Sequence, residues 1–184
     1  VMALSLCAMP AMAAEGETNV ATIDTTKRGS LTIEKYEGEE GDFSKPFPGI
    51  DFTIYQVADI KQEKDASGNV SINYVSKIDG LTITAGTTYS DIKTQIDEAV
   101  KANKLTGQTA TTKLEGNGTE QKAVARFNGL HLGIYLVVET KAPSQVVTPS
   151  ANFLVSIPMT KADGTGWDYN VVAQPKNATV YGGV

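Results

Sequence analysis

The sequence predicts a mainly β fold, a β-sandwich with one inserted α-helix. Several short segments alternate apolar and polar residues, as half-buried strands do. Clusters of Gly, Pro, Asn and Ser separate these segments at short intervals, which is typical of sandwiches. One stretch alone, residues 89–105, spaces its apolar side chains like a helix.

The predicted strands follow one another from Gly29 to the end of the chain. In the first, Leu31–Tyr36, the side chains of Leu31, Ile33 and Lys35 share one face. A turn-rich stretch follows, from Gly38 to Gly49. The other predicted strands are 50–57, 70–78, 123–127, 133–139, 152–158 and 167–177.

The predicted helix spans residues 89–105. Thr88 or Ser90 is available as its N-cap, and Gly107 is expected to end it. Its apolar residues recur at helical spacing, so one face should pack on the protein. We expect this helix to cover an open end or edge of the sheet and to carry no chemistry.

The net charge of the chain and its N-terminal residues indicate which classes of protein it can belong to. The net charge of -5 and the pI near 4.9 argue against a nucleic-acid partner. Residues 1–13 resemble the end of a secretory signal, with Ala11-Met12-Ala13 as its cleavage site. We therefore expect a signal remnant at 1–13, an N-terminal extension at 14–28 and one domain at 29–184. The only cysteine, Cys7, would be lost with the signal, leaving a secreted protein without disulfides.

The usual catalytic groups are scarce. His131 is the only histidine, and it lies in a predicted surface turn with no acid nearby in the sequence. No His/Cys cluster has metal-ligand spacing, and Asp163-Gly164-Thr165-Gly166 is typical of a hairpin turn. We predict neither a turnover enzyme nor a metal or cofactor site.

Three polar residues share strand parity with apolar neighbours and are therefore expected to face the core. They are the amine Lys35, the carboxylic acid Glu139 and the carboxamide Asn177. Burial favours the neutral form of an amine, so Lys35 could attack the side-chain carbonyl of Asn177. Glu139 would polarise that carbonyl and transfer protons while ammonia leaves. The product is an intramolecular isopeptide bond between the first and last strands.

Other residues could take these places. Lys27 lies close to the first strand and is a second candidate amine. Asn170 or Asn152 could replace Asn177 if the strand register is shifted by one residue.

Two sequence motifs resemble a known family. The segment Tyr135-Leu136-Val137-Val138-Glu139-Thr140-Lys141-Ala142-Pro143 is similar to the E-box of CnaB-type immunoglobulin-like domains from Gram-positive surface proteins. This resemblance implies a CnaB-type sandwich in which Glu139 catalyses the isopeptide bond and Lys35 is the reactive lysine.

The second motif lies at the end of the chain. Trp167, Val171, Pro175, Lys176 and Asn177 match the pilin motif W-x-x-x-V-x-V-Y-P-K-N of sortase-assembled major pilins, with Ala-Gln in place of Val-Tyr. The resemblance implies that Lys176 accepts the C-terminal threonine of the next subunit through a pilus-specific sortase. The sorting signal of that family is absent from this sequence, so the chain resembles the N-terminal domain of a longer subunit.

These motifs together predict a structural subunit of a covalently polymerised pilus, secreted and anchored to the cell wall. Its expected partners are neighbouring pilin subunits and a sortase, with host surface ligands reached through the assembled pilus. The alternative is a stalk or ligand-binding domain of an adhesin or tip pilin. A tip subunit needs no acceptor lysine, so the Pro175-Lys176-Asn177 motif favours the first interpretation.

Overall fold

Strands dominate the structure, a computed structural model that describes residues 21–38, 42–144, 146–175 and 178–179. One α-helix, α1 (Tyr89–Lys101), is inserted between the third and fourth strands. The strands in chain order are β1 (Gly29–Glu34), β2 (Asp51–Lys64), β3 (Val70–Ser76), β4 (Gly107–Thr111), β5 (Lys113–Glu115), β6 (Lys122–Leu130), β7 (Gly133–Lys141), β8 (Val146–Thr148), β9 (Phe153–Ile157), β10 (Met159–Thr160), β11 (Trp167–Asp168), β12 (Asn170–Ala173) and β13 (Ala178–Thr179).

Two sheets form the body of the fold. One has the strand order β12-β1-β6-β5, and the other has the order β3-β2-β7-β9, with β4 also paired to β2. Two short pairs, β10 with β11 and β8 with β13, lie outside these sheets. Apolar side chains from both sheets form a single core, which confirms the predicted β-sandwich.

Alternation along the strands decides which residues enter this core. On β1, Leu31 and Ile33 are fully buried, whereas Thr32 between them is only partly covered. On β12, Val171 and Ala173 are buried in the same way. The two strands run parallel with Leu31 opposite Val171 and Ile33 opposite Ala173, so their inward faces are aligned.

The helix is present but shorter than predicted. It begins after Thr88, whose side chain and that of Asp91 form a capping box. It ends at Lys101 rather than near Leu105, because Asn103 takes a positive φ of 57° that stops the helical path. Gly107, the predicted end, instead begins β4. The buried face of Ile92, Ile96 and Ala99 joins the common core.

Three strand predictions need correction. β4 and β5 were not predicted, because nearly all of their residues are exposed and show no apolar alternation. β2 continues to Lys64, well past the predicted end at Val57. The predicted strand 167–177 is broken at Tyr169 into β11 and β12, which pair with different partners, and β12 ends at Ala173.

The segment before β1 packs against the domain. Ile23 is 1% exposed, and its backbone exchanges two hydrogen bonds with the side chain of Gln62. The predicted signal remnant, residues 1–13, and the beginning of the extension lie outside the described residues. In the part of the chain that is described, no helix is long and apolar enough to cross a membrane.

Candidate functional site

Lys35 follows directly after β1 and points into the sandwich. Its backbone N–H donates to the carbonyl of Ala123, and its carbonyl accepts from the N–H of Phe47. These bonds to both sides hold the main chain extended and keep the inward parity of Ile33. Lys35 is 0% exposed, although lysine is almost never fully buried without a partner.

The partner of this amine comes from the other sheet. Glu139 lies on β7, opposite Phe52 of β2, and its side chain is 1% exposed. Its Oε1 atom lies 3.7 Å from the Nζ atom of Lys35. An amine and a carboxylate from the two faces of the sandwich therefore meet in the core, as the strand parity predicts.

Ser150 also contacts this carboxylate. Its hydroxyl donates to Oε1 of Glu139 over 2.9 Å, and its backbone N–H donates to the same oxygen over 3.3 Å. Ser150 lies in the connection between β8 and β9 and is 8% exposed. No pattern in the sequence singles out this residue, because it lies in a loop without apolar alternation.

The end of the pilin-like motif approaches the same place. Lys35 Nζ donates to the carbonyl oxygen of Pro175, 3.0 Å away, and Pro175 is buried. β12 reaches this point because it runs parallel to β1 over four paired residues. The chain is described again at Ala178, which pairs with Thr148 of β8. Lys176 and Asn177, predicted as sortase acceptor and crosslink partner, lie outside the described residues.

A second polar group lies on the outer face of β1. Glu34 accepts a hydrogen bond from Gln174 Nε2 over 2.9 Å and forms an ion pair with Lys122 at 3.4 Å. The hydroxyl of Tyr36 contacts the same carboxylate at 3.5 Å. Burial, and then the negative charge of Glu34, raises the pKa of the Tyr36 phenol. Glu34 and Gln174 thus join β1 to the end of β12 outside the core.

The alternative candidates lie elsewhere. Lys27 is exposed, with its Nζ 4.8 Å from the centre of the Tyr169 ring. Asn170 is also exposed and accepts a hydrogen bond from the Ser30 hydroxyl. Asn152 is partly buried, one residue before β9. Lys27 and Asn170 are thus solvent-facing, whereas the predicted pair of Lys35 and Glu139 is enclosed.

Two further residues from the sequence analysis, His131 and Asp163, lie in connections between strands. His131 lies exposed in the turn between β6 and β7, and Arg28 donates to its Nε2 atom. Asp163 accepts two hydrogen bonds from Thr165 in the hairpin between β10 and β11, as predicted for that turn. Among the described residues, no group of three or more His, Cys, Asp or Glu could hold a metal ion.

Trp167, the first residue of the pilin-like motif, contacts the N-terminal segment. Its indole N–H donates to the carbonyl oxygen of Ala21 over 2.8 Å. The hydroxyl of Tyr169 accepts from the N–H of Asp24 over the same distance. The motif is therefore fixed at both ends, by residues 21–24 at its beginning and by Lys35 at Pro175.

Comparison with known proteins identifies two fimbrial subunits as relatives of this chain. The chain is 28% identical over 98% of its length to a fimbrial subunit type 2 of Actinomyces naeslundii, covering 35% of that protein. It is 29% identical over 94% of its length to a fimbrial subunit type 1 of Actinomyces viscosus, covering 30% of it. The chain therefore spans about a third of the length of these relatives.

A solved structure and a family model also match this chain, and both are of Gram-positive pilins. The full-length major pilin SpaD of Corynebacterium diphtheriae matches with a TM-score of 0.56 and 35% identity, over 86% of this chain and 32% of SpaD. The family model of the Gram-positive pilin subunit D1, N-terminal domain, matches residues 11–178. The chain therefore belongs to the family of Gram-positive pilin subunit D1 N-terminal domains.

Proposed function

We propose that this chain is the N-terminal domain of the backbone subunit of a covalently polymerised pilus. In this proposal residues 29–184 form the domain, Lys35 and Asn177 form an internal isopeptide bond, and Glu139 catalyses it. Lys176 is the acceptor for a sortase. The observation that carries the proposal is the fully buried amine of Lys35, which contacts the Glu139 carboxylate and the Pro175 carbonyl.

The chemistry needs an amine without its extra proton and an activated amide. Lys35 Nζ attacks the side-chain carbonyl carbon of Asn177, and Glu139 donates a proton to the carbonyl oxygen. Glu139 then takes one proton from the attacking nitrogen and passes it to the departing nitrogen. The carbon–nitrogen bond breaks, the hydroxyl returns its proton to Glu139 as the carbonyl re-forms, and ammonia leaves. One amide is lost and one amide is formed, so the reaction needs no external energy source, oxidant or cofactor. It occurs once per molecule and is not turnover catalysis.

The contacts on either side of Asn177 support this assignment. Pro175, two residues earlier, has its carbonyl bound by the amine of Lys35. Ala178, the next residue, is paired with Thr148, two residues before Ser150, which donates to Glu139. A chain spans at most about 3.6 Å per residue, so a crosslink partner two residues after Pro175 needs only a short reach to the amine. Fixed proximity of this kind replaces an encounter in solution.

The bond would close a loop between the two terminal parts of the domain. By analogy with a disulfide, closing such a long loop would stabilise the folded state by on the order of 4 kcal/mol or more. The bond would also join the end of β1 to the segment that follows β12. A force applied to either end of the domain would then pass through this bond without separating the hydrogen-bonded strands. A protein without disulfides gains a covalent restraint that reduction cannot remove.

Intact mass of the purified domain tests the internal bond. We expect the wild-type domain to weigh one ammonia less than its sequence, and Glu139→Ala to have the full sequence mass. Glu34→Ala is the matched control, because Glu34 is also largely buried but lies on the outer face. It should still lose ammonia. A wild-type domain at full mass would exclude the crosslink without excluding the pilus assignment.

The bond between subunits needs a separate test. We expect Lys176→Ala to abolish the ladder of covalent polymers on cells that express the full-length subunit and its sortase. Lys122→Ala, a change at an exposed lysine of the same domain, should leave the ladder unchanged. A normal ladder from Lys176→Ala would contradict the acceptor assignment.

The proposed location is the cell surface, in a pilus attached to the cell wall.

A further inference from the structure

We propose that Ser150 is a positioning residue for isopeptide formation, holding the Glu139 carboxyl group in its reactive orientation. This inference rests on the proposed crosslink and adds a residue that neither of the two sequence motifs contains. It concerns the short segment Val146–Ser150, which lies between β7 and β9.

The first argument is the number of donors on one oxygen. The hydroxyl and the backbone N–H of Ser150 both donate to Oε1 of Glu139, at 2.9 and 3.3 Å. The terminal torsion of a glutamate is broad and has no single preferred value. Two donors from one buried residue fix the plane of the carboxyl group, which the side chain alone would leave variable.

The second argument concerns the proton that Glu139 must transfer. An oxygen that accepts two hydrogen bonds acts through its lone pairs, so a protonated Glu139 carries its hydrogen on the other oxygen, Oε2. Both Ser150 donors therefore direct the acidic hydrogen away from Oε1. Oε2 is itself buried, which keeps this hydrogen out of water.

The third argument is that the same segment also contacts the chain beyond Asn177. β8 ends at Thr148, two residues before Ser150, and pairs with Ala178 and Thr179 of β13. One stretch of five residues thus pairs with the strand that follows the electrophile and donates to the catalytic carboxylate. The pairing of β13 with β8 therefore joins the strand after Asn177 to the segment that carries Ser150.

The time course of ammonia loss tests this role. The domain and its variants are synthesised in a cell-free reaction, and intact mass is followed from the earliest detectable product. We expect Ser150→Ala to slow crosslinking about ten- to a hundred-fold, because small displacements of catalytic groups have effects of this size. Ser150→Thr, which keeps the hydroxyl, should restore a rate close to wild type. Ser144→Ala is the matched control, an exposed serine in the same connection, and should behave like wild type.

A purely structural role is tested in the same experiment. In an Asn177→Ala background, which cannot crosslink, Ser150→Ala should remain fully folded at the assay temperature by thermal unfolding. Equal rates for Ser150→Ala and wild type would overturn the inference, as would an equally slow Ser150→Thr. A wild-type domain that never loses ammonia would contradict the proposed crosslink itself and this inference with it.

Discussion

Two glutamate–lysine pairs lie on opposite sides of the chain at the end of β1, and they differ most in the exposure of the lysine. Glu139 and Lys35 meet inside the sandwich at 3.7 Å, with side chains 1% and 0% exposed. Glu34 and Lys122 meet on the outer face at 3.4 Å, where the lysine side chain is 52% exposed. Glu34 and Lys35 are neighbours in sequence, so alternation along β1 alone separates the two environments.

The comparison shows how burial changes the role of an identical pair of groups. Water and salt weaken an ion pair with an exposed partner, which typically contributes at most about 1 kcal/mol. A buried pair has a large desolvation cost, and hydrophobic residues of the same volume often fit as well or better. Stability alone therefore explains the inner pair poorly, and the proposed crosslink gives the amine a separate role.

The largest expected effect is on stability after loss of the lysine. In an Asn177→Ala background, Lys35→Met should lower the free energy of unfolding by about 3–5 kcal/mol, because the buried Glu139 carboxyl group loses its amine partner. Lys122→Met in the same background should change it by less than about 1 kcal/mol. Urea unfolding followed by circular dichroism measures both. Equal losses of unfolding free energy in the two variants would contradict the proposed difference between the inner and the outer pair.

A smaller effect is expected from the hydrogen bond between β12 and β1. Gln174→Ala removes the amide that donates to Glu34 over 2.9 Å. The expected cost is about 1 kcal/mol, typical of one hydrogen bond to a partly buried group. Crosslinking should still reach completion, because the inner contacts of Lys35 remain. Urea unfolding and intact mass give the two readings, and a complete block of ammonia loss would show that the outer network controls the inner one.

The smallest expected effect is the salt dependence of the two pairs. Raising ionic strength from about 0.1 to 1 M shortens the Debye length from roughly 10 to 3 Å. The loss in the free energy of unfolding caused by Lys122→Met should therefore become smaller by a few tenths of a kcal/mol. The loss in the free energy of unfolding caused by Lys35→Met, measured in the same experiment, should stay constant because solvent ions do not reach the core. Matching salt dependences would contradict the enclosure of the inner pair.

Much of the site could be predicted from local patterns. Parity with Ile33 and Val137 was sufficient to predict that Lys35 and Glu139 face inward, because both lie at strand ends that keep the alternation. The sandwich followed from the same alternation. β4 and β5 have little or no buried face, so their sequences contain no signal of the kind that identified β1.

Other features depend on contacts that the apolar alternation of the sequence does not encode. Ser150 contacts Glu139 from a loop with no periodic pattern, and a serine in a loop has no distinguishing neighbour in sequence. Ile23 belongs to the core through its bonds to Gln62, although the segment around it was predicted as an extension. The helix end at Lys101 depends on one positive φ angle at Asn103, which Asn adopts more readily than most residues.

The central claim is a covalent bond between Lys35 and Asn177, and tandem mass spectrometry of proteolytic peptides tests it most directly. The account predicts a branched peptide pair in which the side chains of these two residues are joined with loss of one ammonia. Glu139→Ala should give the corresponding linear peptides instead. Linear peptides from the wild type, or a link from Lys35 to a different residue such as Asn152, would contradict the account.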